Sequence, residues 1–296
     1  MFMLRRTPSG IETSHLIMLT APSFPPLRAR DQDLVLGPRT LIMGILNITP
    51  DSFSDGGASI EAPDALANAR RLIAQGADIL DIGGESTRPG HIPVPAEEEW
   101  ARVGPVLNAL RREAGVALSI DTWKADVARQ AIEAGAVIVN DIWGFSRDPD
   151  MAHVVAGTGA AAILMHNRDQ ADPSLDVMRD MLAFFERALE RAAQAGVARD
   201  RIVLDPGIGF GKTAEQNLTV LARLAELQTL GQPLLLGASR KSFIGRLVET
   251  RPQERDPGSI AAHVQGILAG VNIIRVHDVA IHVQAARVTE AIRDAR

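Results

Sequence analysis

Along most of the chain, short aliphatic runs alternate with longer stretches in which apolar residues recur every three or four positions. The short runs fall at 41–46, 79–82, 117–120, 137–139, 162–165, 202–204, 234–236 and 273–276, each bounded by Gly, Pro, Asn or Asp. They are continuous rather than alternating, the pattern of strands covered on both faces. The stretches between them carry the helical period. Residues 65–75 place Leu66, Ala69, Leu72 and Ile73 on one face and Arg70, Arg71 and Gln75 on the other, and 124–134, 175–195, 214–227 and 259–269 read the same way. Gly76, Gly135 and Gly196 follow the last apolar turn of three of these stretches, where helices commonly end. Eight strand–helix units predict an α/β fold, an eight-stranded parallel (β/α)8 TIM barrel over residues 39–296, with a doubly wound open sheet as the structural alternative. Residues 1–38 are interrupted by Pro8, Pro22, Pro25 and Pro26. They predict an N-terminal extension or a short hairpin capping the barrel, with strands at 16–20 and 33–36.

A parallel barrel keeps its chemistry at the carboxyl ends of its strands. Here the runs end at Asn47, at Asp81 and Glu85, at Asp121, at Asn140 and Asp141, at His166 and Asn167, at Asp205, at Ser239, Arg240 and Lys241, and at Arg275, His277 and Asp278. One Asp or Asn at a strand end is an ordinary cap. A full ring that includes Arg, Lys and His is not, because these residues cap poorly. Asp121, Asn140 and Asp205 can exchange several hydrogen bonds with a flat heterocycle rich in N–H groups. Lys241, Arg275 and His277 offer cationic donors for phosphate. Two loops rich in Gly, Pro and small hydroxyls follow the first two strands, at 47–57 and 83–90, and Phe53 and Arg88 on them are costly to expose without a ligand or a lid role. The segment D-P-G-I-G-F-G-K at 205–212 fits neither the Walker spacing nor the dinucleotide fingerprint, so its glycines bring backbone close to a flat ligand or simply turn.

Composition narrows the classes. Hydrophobic residues make up 46% and charged residues 23%, which excludes a disordered or collagen-like chain. No apolar run nears the roughly 18 residues of a membrane span. With 31 Lys and Arg against 36 Asp and Glu, the net charge of −5 argues against nucleic acid as the main partner. The absence of cysteine excludes disulfides, thiolate metal sites and a cysteine nucleophile. Arg5 and Arg6 precede an apolar stretch at 16–19 too short for a secretory signal, so the expected compartment is the cytoplasm.

Together, L-I-M-G-I-L-N-I-T-P-D-S-F-S-D-G-G, G-A-D-I-L-D-I-G-G-E-S-T-R-P-G, S-I-D-T-W-K, V-N-D-I, D-P-G-I-G-F-G-K, G-A-S-R-K-S-F-I-G and R-V-H-D-V resemble the dihydropteroate synthase family, in the family's order, from about residue 40 to 280. The resemblance implies a transferase of folate biosynthesis, the target of sulfonamides, that joins 4-aminobenzoate to (7,8-dihydropterin-6-yl)methyl diphosphate and releases diphosphate. It implies that Asp121, Asn140, Asp205 and Lys241 hold the pterin with Met165 near the ring, and that Gly237 is a substrate-binding position. Asn47, Arg275 and His277 would hold diphosphate, with Mg2+ near Asn47. Asp51, Phe53, Asp55, Thr87, Arg88 and Pro89 would close over the aminobenzoate, and Phe210 and Ser242 line that pocket. The family also implies a homodimer. After Met165, His166 and Asn167 the chain reads R-D-Q-A-D-P where the family has a Gly-x-Pro segment, so this loop departs from the pattern. A pterin-dependent methyltransferase barrel would share the Asp and Asn pocket but lack the E-S-T-R-P-G, S-R-K and R-V-H segments. A non-catalytic pterin-binding protein would have lost catalytic positions.

Overall fold

The computed structural model describes residues 24–48, 62–86, 93–112 and 115–295. An antiparallel hairpin comes first, β1 (Leu27–Ala29) and β2 (Gln32–Leu34). The alternating units follow: β3 (Leu41–Asn47), α1 (Ala62–Ala74), β4 (Ile79–Gly83), α2 (Ala96–Leu110), β5 (Ala117–Asp121), α3 (Ala125–Glu133), β6 (Ile138–Asp141), α4 (Met151–Thr158), β7 (Ala161–Met165), α5 (Val177–Ala195), β8 (Ile202–Asp205), α6 (Ala214–Ala222), β9 (Leu235–Leu236), α7 (Ser242–Val248), α8 (Asp256–Leu268), β10 (Ile273–Val276) and α9 (Val279–Asp294). The strands from β3 on are parallel, in the order β8-β7-β6-β5-β4-β3-β10-β9. The ring closes where Leu204 of β8 bridges Leu234 and donates its N–H to the Pro233 carbonyl at 2.9 Å. The two edges of the sheet therefore meet, and the open-sheet alternative falls. The fold is a (β/α)8 barrel whose strands lie within a residue or two of the eight predicted runs.

Successive residues of a strand face opposite ways, and the barrel sorts them into two apolar clusters. Ile42, Leu46, Leu80, Ile82, Leu118, Ile120, Leu164 and Ile274 point outward and pack beneath the helices. Leu41, Met43, Ile79, Ala117, Ile138, Ala161, Ile163, Val203, Leu235 and Ile273 point inward and fill the amino-terminal half of the barrel. Leu27, Ala29 and Leu36, from the hairpin and the loop after it, join this inner cluster and seal the floor. Full burial of such a side chain contributes ~1.5–3 kcal/mol. The hairpin is fastened to the barrel by the Arg30 N–H on the Gly159 carbonyl at 2.9 Å and by Arg30 Nη1 on the Ile132 carbonyl at 2.7 Å.

The hairpin's second strand overlaps the predicted 33–36, but its partner is 27–29, and the predicted strand at 16–20 lies outside the described residues. The predicted helix at 214–227 ends early, at Ala222, and continues as a 3-10 turn over Leu224–Leu230. Among the described residues no helix is long and apolar enough to cross a membrane.

Candidate active site

The inward alternation that fills the floor with apolar side chains continues up each strand and turns polar. On β4 it runs Ile79, Asp81, Gly83, on β5 Ala117, Ser119, Asp121, and on β6 Ile138, Asn140. On β7 it runs Ala161, Ile163, Met165, on β8 Val203, Asp205, and from β9 Leu235, Gly237. On β10 it runs Ile273, Arg275 and then His277. The two-residue period brings residues far apart in sequence to one mouth.

Arg275 is the central cation. Its Nε donates to Asp81 Oδ2 at 2.6 Å and its Nη2 to Asp121 Oδ2 at 2.7 Å. Asp81, fully buried, also accepts from Asn140 Nδ2 at 2.9 Å and from Ser119 Oγ at 2.7 Å. Asp205 Oδ1 accepts from the Gly207 N–H at 2.8 Å. Gly237 adjoins both groups: a Cβ there would stand 3.8 Å from Asp205 Oδ2 and 3.9 Å from the Arg275 Cβ. Lys241 Nζ lies 4.0 Å from the centre of the Phe210 ring, in cation–π range. Asn47 reaches the same rim, since a Cβ on Gly83 would lie 3.6 Å from Asn47 Oδ1 and 3.7 Å from Asp121 Oδ2. Met165 is buried at the end of β7, and Ser242 opens α7 with its side chain exposed. Asp51, Phe53, Asp55, Thr87, Arg88 and Pro89 lie outside the described residues.

Two buried acceptors in this cluster, Asp121 Oδ1 and Asn140 Oδ1, have no hydrogen-bond partner among the described residues. A buried polar atom without a partner costs about 1–3 kcal/mol, so two of them on one wall favour a ligand that brings N–H groups. Burial pushes Asp121 up to about 7; Arg275 opposes the shift and the neighbouring Asp81 adds to it. Burial also raises Asp205, against the Gly207 N–H and Lys241. Burial, together with Arg275, pushes Lys241 down to about 8, against the pull of Asp205 and Asp121. Burial works against the Arg275 charge too, but Asp81 and Asp121 outweigh it and hold the guanidinium above its usual range.

Three points differ from what the sequence suggests. Arg275, offered by the sequence as a donor for phosphate, is also paired with the carboxylates, spanning from β10 to Asp81 on β4 and Asp121 on β5. His277 is not cationic near neutrality: burial and the nearby Arg240, Arg275 and Lys241 press it down to about 3, and its Nδ1 pairs with Ser239 Oγ at 2.9 Å. Arg240 is spent on the fold, bound by both arms to Asp256 at 2.7 and 2.8 Å. The sequence also leaves out Lys124, which ties Glu85 at the root of the second loop to Glu99 on α2, the latter at 2.5 Å. The segment after Asp205 is shaped by protein contact. A Cβ on Gly207 would fall 2.0 Å from the His166 carbonyl oxygen, and one on Gly211 would fall 2.5 Å from Arg168, so only glycine lets the β8 loop lie against the β7 loop.

Residues 43–277 match the pterin binding enzyme family. The dihydropteroate synthase of Clostridium beijerinckii is 47% identical over 267 residues, 90% of this chain and 99% of the relative. The dihydropteroate synthase of Clostridium difficile, solved in the presence of pteroic acid, superposes with a TM-score of 0.83 at 51% identity over 86% of this chain and 97% of its own. That of Xanthomonas albilineans, solved with 4-aminobenzoic acid, superposes with a TM-score of 0.87 at 42% identity over 91% and 98%.

Proposed function

The chain belongs to the pterin binding enzymes and among them to the dihydropteroate synthases, and from that premise we propose that its barrel mouth binds (7,8-dihydropterin-6-yl)methyl diphosphate through the buried acceptor wall and transfers the pterin methylene to 4-aminobenzoate with loss of diphosphate. The observation that carries this is the pair of unpartnered buried oxygens on Asp121 and Asn140, in a mouth that also holds Asp205 and the cation Arg275. A pterin presents N–H groups that such acceptors can satisfy. Pteroic acid and 4-aminobenzoic acid, present with the two related structures, have the chemistry of the product and of the amine substrate.

The chemistry asked of the protein follows from the substrates. An aromatic amine is a weak nucleophile, so the largest gain comes from helping diphosphate depart. Arg275 and Lys241 stabilise charge developing on the leaving oxygen. The neutral His277 adds a ring N–H where donation is needed. Asp121 and Asp205, beside the ring, favour the positive charge that the pterin delocalises from its methylene. The displacement is therefore S_N1-like, with carbon–oxygen cleavage ahead of carbon–nitrogen bond formation. Mg2+ suits Asn47, which offers a hard amide oxygen at the rim of the mouth; when bound, the ion would neutralise diphosphate charge. Asp51, Phe53, Asp55, Thr87, Arg88 and Pro89 would contact the aminobenzoate, together with Phe210 and Ser242. The homodimer expected of the family would pair outer helices, and exposed large apolar side chains lie on α6 (Leu218), α7 (Leu247, Val248), α8 (Leu268) and α9 (Val288, Ile292).

Mixing the two substrates with the protein and following diphosphate release tests the reaction; stoichiometric release with formation of dihydropteroate supports it, and no release sinks it. Electron-withdrawing substituents on the pterin test the order of bond changes. A rate that ignores them contradicts a cationic intermediate.

A further inference from the structure

Lys212 has no part in the chemistry above, yet it is buried and its ammonium has no carboxylate within hydrogen-bond reach among the described residues. Its three hydrogens go to main-chain carbonyls: Gly207 at 2.9 Å, Phe210 at 3.1 Å and His166 at 3.3 Å. Two of these belong to the β8 loop and one to the β7 loop. The loops touch on either side of it, at Gly207 against the His166 carbonyl and at Gly211 against Arg168. The ammonium thus acts as a rivet through a contact that only glycine permits.

Each carbonyl it holds sits next to a residue of the mouth. His166 follows Met165. Gly207 gives its N–H to Asp205 Oδ1. Phe210 lies under Lys241 Nζ. We propose that Lys212 is a positioning residue for the pterin pocket, fixing the β7 loop against the β8 loop and so setting the places of Met165, Asp205 and Phe210 together. This rests on the pterin assignment of the mouth. Met165 and Asp205 belong to the pterin pocket directly, and Phe210 backs the Lys241 ammonium that also holds the pterin.

The charge matters as well as the reach. A neutral amine has two hydrogens and a lone pair, so one of the three carbonyls would then face a lone pair. Burial pushes Lys212 down to about 7; Asp205 and Asp180 pull it back up, while Lys241 and Arg168 push it further down.

The chain has no cysteine, so Lys212→Cys carries a single thiol. Alkylation with 2-bromoethylamine in mild denaturant rebuilds the side chain with sulfur in place of one methylene. Lys212→Met, Lys212→Cys and the aminoethylated Lys212→Cys are compared with wild type by calorimetric titration of the pterin diphosphate. In the Met and unmodified Cys variants, pterin affinity should fall roughly ten- to a hundredfold, as for a displacement of about 1 Å at a binding group. Aminoethylation should restore it to within about threefold of wild type. If the Met variant does not fold, the modified and unmodified Cys samples decide. Pterin affinity unchanged in a folded variant overturns the proposal, as does a loss that aminoethylation does not restore. Wild type that fails to bind pterin diphosphate would sink the assignment of the mouth, and this proposal with it.

Discussion

The floor and the mouth of this barrel are built from the same eight strands and the same inward-facing positions, yet they follow opposite rules. At the floor, Leu41, Ala117, Leu235 and Ile273 meet Leu27 and Ala29 of the hairpin, with no inward side chain that needs a hydrogen bond. Two to four residues further along each strand, the mouth buries Asp81, Asp121, Asn140 and Asp205 around one guanidinium and leaves two acceptors unpartnered. A buried charge cluster is a poor source of stability, and unpartnered oxygens are a cost. The floor therefore supplies stability and the mouth gives some of it up for binding, so substitutions at the two ends should separate melting temperature from activity.

The sharpest break between the ends is at Arg275. Arg275→Met leaves Asp81 and Asp121 without their cation, and kcat/KM should fall roughly a thousandfold. Its stability should drop by about 3–5 kcal/mol at pH 8. Without the guanidinium, burial holds Asp121 still further above its value in the unfolded chain, so the stability that remains at low pH is lost as pH rises. Thermal melts at pH 6 and pH 8 check the sign, and equal losses at both would contradict it.

At the other end, Leu27→Ala should cost about 2–4 kcal/mol through the cavity it leaves. That lowers the melting temperature by roughly 5–15 °C while kcat/KM stays within about twofold of wild type. A comparable loss of activity would mean that the two ends are coupled.

A smaller effect sharpens the mouth alone. Pterin N–H groups require ionised Asp121, which burial holds up at about 7, so affinity should fall up to tenfold per unit as pH drops below that value. It should also fall on the alkaline side as Lys212, at about 7, and Lys241, at about 8, lose their protons. Affinity then peaks near neutrality. A flat profile between pH 5 and pH 9 would show that these groups do not titrate on binding.

How much of this is legible without coordinates depends on whether the signal is local. The strands are, because runs such as 79–82 and 273–276 are apolar on both faces and stop at polar residues. The ring of strand-end residues follows once a barrel is assumed. The first strand of the hairpin is not, because the turn at Arg30 and Asp31 lacks the glycine that marks tight turns, and Arg30 takes the left-handed conformation at φ 59° without one. Helix α2 is obscured by Gly104 and Pro105 within its span, and α7 is only seven residues long. Asp81 reads as one strand-end acid among several; its place as the shared acceptor of Ser119, Asn140 and Arg275 depends on contacts up to 194 positions apart. Lys212 closes a glycine segment whose sequence gives the lysine no role, and its hold on three carbonyls emerges only when the β7 and β8 loops meet. The neutrality of His277 depends on burial among Arg240, Arg275 and Lys241, which strand-end position does not reveal.

The claim that the buried acceptors of the mouth, Asp205 among them, receive pterin N–H groups is tested most directly by calorimetric titration of the pterin diphosphate into wild type and Asp205→Asn at pH 7. An amide in place of the carboxylate turns one acceptor into a donor facing ligand N–H groups. The expected result is a loss of about 2–3 kcal/mol in binding, roughly 30- to 150-fold, with the melting temperature of the free protein within about 2 °C of wild type. Undiminished affinity in the folded variant would contradict it.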